Sequence, residues 1–250
     1  MLAALVERIP SANYLYFGDT ARLPYGSKSV ATVAHYAVGA VQYLQAHGAE
    51  LLVIACNTAT ALAFDQIKAS ARVPVIGVVE PGAAAATRAT NIGKVVVIGT
   101  EATVSSHAYK RALEVRGIAA REKACPLFVP LVEEGWVDHT VTEQVARIYL
   151  GEAFSDDCRD ADVLVLGCTH YPLLKPLLGR LVAADVMIVD SAESTARAVA
   201  DQLAIGDSST ADPPPSLKFY ATDSVEKFKK MGTRFLGHAV EDVEHVDLKE

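Results

Sequence analysis

Two cysteines sit in matching local settings. One stretch reads Leu51-Leu52-Val53-Ile54-Ala55-Cys56-Asn57-Thr58-Ala59, the other Val163-Leu164-Val165-Leu166-Gly167-Cys168-Thr169-His170-Tyr171-Pro172. In each, a buried-strand signal ends at a thiol, and small polar residues follow where a helix should begin. In open α/β sheets that strand edge is where ligands bind. Two such thiols suggest paired groups working from two sides of one substrate. The most direct chemistry is to take a proton from one face of a carbon and return one to the other. A thiol titrates near ~8.5, and a helix N-terminus or a cation lowers that value. The bland alternative is a buried apolar cysteine, since free Cys is among the most buried residue types. The polar followers keep both readings open.

Other side chains could support the thiols. Asn57, Thr58 and Thr169 are short, and at a strand-to-helix turn they can cap the helix or hold a carboxylate. His170 lies two residues after Cys168 and could stabilise a thiolate or donate a proton, or simply bond to backbone. Glu133 ends the apolar run Phe128-Val129-Pro130-Leu131-Val132-Glu133-Glu134. It reads either as a buried acid with a raised pKa beside a thiol or as part of a solvated turn. The stretch from Gly18 to Gly26 follows a strand and is rich in turn formers, as a functional loop would be. There is no P-loop lysine motif and no complete Gly-x-Gly-x-x-Gly fingerprint, so no nucleotide cofactor is expected.

The elements that must position these groups alternate. Strands are expected over 14–18, 51–55, 75–79, 95–99, 163–167, 186–189 and 217–221. Helices are expected over 30–47, 59–70, 82–90, 105–116, 140–150, 173–182 and 194–203. That order implies parallel βαβ units, and several strands read as continuous apolar runs, as when both sheet faces are covered. Residues 206–215, ending in Pro213-Pro214-Pro215, read as an exposed connector. Residues 1–10 look like the latter part of an amphipathic helix. The two cysteine segments hint at a weak internal repeat, with coincidence an equal reading.

Composition sets the bounds. The chain has 250 residues, 51% of them hydrophobic, and a net charge of −7. A substantial core is expected, and the absence of a long basic run argues against a nucleic-acid binder. No apolar stretch approaches the roughly 18–20 residues of a membrane span, and residues 1–10 lack a basic leader. The four cysteines, Cys56, Cys125, Cys158 and Cys168, form no Cys-x-x-Cys pair. Reduced thiols in the cytoplasm are the expectation, and a metal site is not.

Taken together, these residues resemble the aspartate/glutamate racemase superfamily, in its glutamate-type branch. The resemblance runs in family order over most of the chain. It is carried by Tyr16-Phe17-Gly18-Asp19-Thr20-Ala21-Arg22-Leu23-Pro24-Tyr25-Gly26, Ala55-Cys56-Asn57-Thr58-Ala59, Val79-Glu80-Pro81-Gly82, Ile98-Gly99-Thr100, Pro130-Leu131-Val132-Glu133 and Gly167-Cys168-Thr169-His170-Tyr171-Pro172. It implies an α/β fold of two similar domains with mainly parallel sheets flanked by helices, and a site in the cleft between them. Residues 1–80 with 191–250 would carry Cys56, and residues 81–190 would carry Cys168.

The resemblance also implies a cofactor-independent, two-base racemase that interconverts L- and D-glutamate and supplies D-glutamate for peptidoglycan. Cys56 would abstract the α-proton of the D-isomer and Cys168 that of the L-isomer, with His170 and Glu133 assisting Cys168. Tyr25, Gly26, Asn57, Thr58, Thr103, Thr169 and His170 would bind substrate. Glutamate is the implied partner, with no membrane or nucleic acid, and a homodimer is the common assembly. One departure stands out: the family's opening strand and Asp-Ser-Gly-x-Gly-Gly loop, whose aspartate assists the first cysteine, are missing here. The expectation is a truncated, poorly active chain that the upstream segment would restore. The competing readings are an impaired relative that binds glutamate or a protein partner, and a racemase for another amino acid such as aspartate.

Overall fold

The computed structural model describes residues 1–205 and 214–248. The first half of the chain carries α1 (Leu2–Arg8), β1 (Tyr14–Gly18), α2 (Val30–Ala46), β2 (Leu52–Ile54), α3 (Asn57–Ser70), β3 (Val75–Gly77) and α4 (Val79–Ala89). Next come β4 (Lys94–Gly99), α5 (Glu101–Ser105), α6 (Ala108–Glu114), β5 (Ala119–Ala124), α7 (Phe128–Glu134), α8 (Thr140–Ala153), β6 (Val163–Gly167), α9 (Lys175–Leu181) and β7 (Met187–Asp190). The chain closes with α10 (Ser191–Gln202), β8 (Leu217–Ala221), α11 (Val225–Leu236) and β9 (Val243–His245). Every strand pair recorded among the described residues is parallel.

One sheet has the order β5-β4-β6-β7. Its central strands are apolar throughout because both faces are covered, as the continuous runs require. Val95, Val97, Val163 and Val165 point to one face and pack with Val79, Ala83, Tyr109 and Leu113 from α4 and α6. The alternate residues Val96, Ile98, Leu164 and Leu166 point to the other, with Phe128, Val132, Leu150 and Leu178 from α7, α8 and α9. Each such side chain stabilises the fold by about 1.5–3 kcal/mol on burial.

The remaining strands form two further sheets, β1-β8-β9 and β2-β3. The helices α1 and α10 tie these together. Leu5, Ile9, Ala196, Val199 and Ala200 share one cluster with Tyr14 of β1, Val53 of β2 and Ile76 of β3. The other face of β2-β3 is covered by α2 and α3 through Val33, Val41, Ala63 and Ile67.

The departures from expectation have local causes. The helix expected at 59 starts at Asn57, with Cys56 as its N-cap. The helix expected at 82 starts at Val79, because Pro81 is tolerated in a first turn, and β3 therefore ends at Gly77. The helix expected over 105–116 begins only at Ala108, after a break at His107, whose φ of 53° is left-handed, and the preceding short helix α5 ends at Ser105. Pro172 and Pro176 delay the helix expected at 173, which opens as a 3-10 turn over Tyr171–Leu174. The stretch that ends at Glu133 is a helix, α7, rather than a turn. All but the last two residues of the connector expected over 206–215 lie outside the described residues.

Candidate active site

The two thiols stand at the carboxyl ends of parallel strands in different sheets. Cys56 follows β2 and caps α3, its sulfur accepting the Ala59 N–H at 3.4 Å. Cys168 follows β6, and its sulfur lies 4.0 Å from His170 Nδ1. Burial pushes the Cys56 thiol up, against hydrogen bonds from the Ala59 and Thr58 backbone and the Thr58 hydroxyl. Burial likewise pushes Cys168 up to about 12, against the His170 and Tyr171 N–H groups, and a charge on Cys56 would raise it further. The two sulfurs are therefore within electrostatic reach of each other. The lowered pKa expected from the helix N-termini is overturned, because desolvation of a thiolate outweighs the dipole here.

Behind Cys168 stand an imidazole and a carboxylate in contact with each other. The far ring nitrogen of His170, Nε2, lies 3.5 Å from Glu133 Oε1. That contact brings together two residues 37 positions apart, from α7 and from the turn after β6. The pKa of Glu133 falls to about 2, first through its hydrogen bond with His170, then through that with Lys227, with burial opposing both. The raised pKa expected for this acid is thus corrected: hydrogen bonds with His170 and with the Lys227 ammonium outweigh its partial burial. An imidazole stands beside the Cys168 sulfur, whereas the contacts recorded at the Cys56 sulfur come from Thr58 and Ala59, so the two thiols have different neighbours.

Three hydroxyls meet beside Cys56. Thr58 Oγ1 lies 2.9 Å from Thr100 Oγ1 and 3.3 Å from Thr103 Oγ1, and the last two are 2.9 Å apart. Thr58 opens α3, whereas Thr100 and Thr103 belong to the start of α5 at the end of β4. Hydroxyl donors gathered at two helix starts suit a carboxylate. Gly26 closes this corner: a Cβ there would stand 3.0 Å from Thr100 Cβ. The neighbouring Tyr25 donates its hydroxyl to Asp19 Oδ2 at 2.5 Å. Asp19 in turn accepts from Arg22 at 3.0 Å and from Thr222 at 2.9 Å.

Asn57 is held more firmly than its sequence context suggests. Tyr109 donates to its Oδ1 at 2.6 Å, and its Nδ2 donates to Ser191 Oγ at 3.4 Å. Thr169 Oγ1 lies 3.5 Å from His170 Nδ1. The expected residues fall into two contact groups, Cys56, Asn57, Thr58 and Thr103 in one and Cys168, Thr169, His170 and Glu133 in the other, and Tyr25 and Gly26 lie in the loop after β1, with Gly26 against Thr100. Sequence reasoning passed over Thr100, Asp19, Tyr109 and Ser191. The strand-end rule that singled out the thiols also points to Thr100, which follows β4 directly. Nothing local marks Tyr109, whose hydroxyl reaches Asn57 across 52 positions.

Residues 1–199 match the family model described as Asp/Glu/Hydantoin racemase. The glutamate racemase of Koribacter versatilis is 57% identical, over 99% of this chain and 93% of that protein. Among solved structures, the glutamate racemase isoform RacE1 of Bacillus anthracis superposes with a TM-score of 0.90 at 34% identity, over 99% of this chain and 92% of that one. The glutamate racemase of Francisella tularensis in complex with D-glutamate gives 0.87 at 32% identity, over 99% and 94%.

Proposed function

From a chain that belongs to the Asp/Glu/Hydantoin racemase family, we propose a two-thiol site in which Cys56 and Cys168 work on opposite faces of one amino acid. The reaction is the interconversion of L- and D-glutamate, an isomerisation that supplies D-glutamate for peptidoglycan. The observation that carries the reading is the pair of thiols at the ends of β2 and β6, with His170 and Glu133 behind one of them.

In the L-to-D direction the Cys168 sulfur, as thiolate, takes the α-proton: a C–H bond breaks and an S–H bond forms. The Cys56 thiol returns a proton to the opposite face, and the roles reverse for D-to-L. The obstacle is that a buried thiol near 12 holds its proton. His170 is the nearest base to Cys168, and the ionised Glu133 stabilises the imidazolium that forms when it accepts that proton. Substrate binding must supply the rest. Hydroxyls of Thr58, Thr103 and Thr169, with Asn57 and the Tyr25–Gly26 loop, would bind the carboxylates, exclude water and stabilise carbanion character at the α-carbon.

We assign residues 1–80 with 191–250 to one domain and 81–190 to the other. Four free cysteines fit a reducing, cytoplasmic setting. No helix of the described residues is long and apolar enough to cross a membrane. A homodimer is the assembly we expect, to be read by sedimentation.

Deuterium wash-in tests the reading. L- or D-glutamate is incubated in heavy water and the α-deuterium is followed by NMR, with circular dichroism to report folding. Cys56→Ala and Cys168→Ala should each lower racemisation by about 100-fold or more, the scale of a lost general acid–base group. Unchanged racemisation in either variant would overturn the two-thiol assignment.

A further inference from the structure

The helix α11 follows β8, a strand of the β1-β8-β9 sheet, yet one of its faces rests on α7 and on the imidazole behind Cys168. Four contacts converge there. Lys227 Nζ donates to Glu133 Oε2 at 2.9 Å, on the oxygen opposite the one that faces His170. Arg234 Nη1 donates to the Glu133 carbonyl at 2.9 Å. That places a cation at the C-terminal end of α7, where unpaired carbonyls and the helix dipole favour it. Phe235 meets the His170 ring edge to face, with centroids 5.8 Å apart and planes at 85°. Met231 and Phe235 also pack against the apolar cluster of α7, α8 and β6.

A free glutamate side chain samples many rotamers, and fixing one costs up to about 1.5–2 kcal/mol. Lys227 on one oxygen and the imidazole on the other leave Glu133 a single direction. Lys227 acts only through Glu133, so its role is positional. We propose that Lys227 is a positioning residue for the Cys168 side of the reaction, and that α11 is the element by which one half of the molecule completes the acid–base relay of the other. The inference rests on the reading of His170 and Glu133 as the assisting pair. Any excursion that lifts α11 from α7 breaks the Lys227 and Arg234 contacts together, so the relay is set only while the two halves are docked.

The test compares Lys227→Met, which keeps the stem and removes the charge, with Lys227→Arg, which keeps a cation. The Lys227 side chain is 59% exposed, which makes it replaceable without loss of folding. Exposure also limits the effect: kcat/KM should fall about two- to fivefold in Lys227→Met at low salt, and the difference should vanish near ~1 M salt. Lys227→Arg should keep wild-type kcat/KM. The 15N signals of the His170 imidazole, read in every variant whatever its turnover, should move in Lys227→Met and stay in place in Lys227→Arg. Wild-type kcat/KM with unmoved imidazole signals in Lys227→Met would overturn the proposal. So would a loss that Lys227→Arg shares or that persists at high salt. Glu133→Gln and His170→Asn are measured alongside. If these lower racemisation and Lys227→Met does not, only the role of Lys227 fails. If they leave racemisation unchanged, the assisting-pair reading fails and the Lys227 role with it.

Discussion

Cys168 and Glu133 are displaced from their ordinary protonation in opposite directions, and both displacements predict how stability follows pH. Cys168 is raised from 9.0 to about 12. A raised acid favours folding fully below its unfolded value, and that contribution is lost as pH rises through the folded one. Thermal melts should therefore show a fall in Tm between about pH 9 and 12 that is shallower in Cys168→Ala. Glu133 is lowered from 4.5 to about 2. Its contribution is present above the unfolded value and lost as pH falls through the folded one, so Glu133→Gln should flatten the acid limb of the same melts. A limb of unchanged slope in either variant would refute the corresponding assignment. The positions of these residues were legible, since a cysteine or an acid at the end of an apolar run is visible in the chain. Their proton affinities were not, because desolvation and the approach of Lys227 depend on neighbours far away in sequence.

Elements aim the side chains, and their ends matter more than their middles. The end of α7 shows this best. Gly135 caps it at φ 84°, and an added Cβ would stand 2.6 Å from Arg234 Nη2. Gly135→Ala should therefore cost about 1–2 kcal/mol for the left-handed backbone alone, and displacing Arg234 adds to it. Urea denaturation measures the loss, and a value near zero would mean that α11 does not press on this turn. The long apolar strands β4 and β6 were legible because burial on both faces leaves a run of Val, Ile and Leu. The edge strand β5 was not, because Ala119–Ala124 carries Arg121, Glu122 and Lys123, as an edge exposed to solvent permits. The helix α11 was likewise missed. Lys227 and Arg234, which face Glu133, carry no local signal in the chain that points to that contact.

At the scale of the whole molecule, a polar seam joins the parts. Asn57 of α3, Tyr109 of α6 and Ser191 of α10 share one buried chain of hydrogen bonds. Tyr109→Phe removes the donor to Asn57 and strands a buried acceptor, which should cost about 1–3 kcal/mol in chemical denaturation. It should also raise the KM for glutamate, because the released Asn57 amide can turn away from the site. A variant with wild-type stability and KM would show that the seam does not hold Asn57. Sequence alone determined the α/β class, the alternation of strands and helices, and the two thiols with their polar followers. These are local: they depend on which residues lie within a few positions of one another. Tertiary structure decided what faces what. Only folding sets Thr58 against Thr100 and Thr103, brings Glu133 to His170, and lays α11 across α7. Contacts between residues tens of positions apart leave no period and no spacing in the chain, so only the packed molecule reveals them.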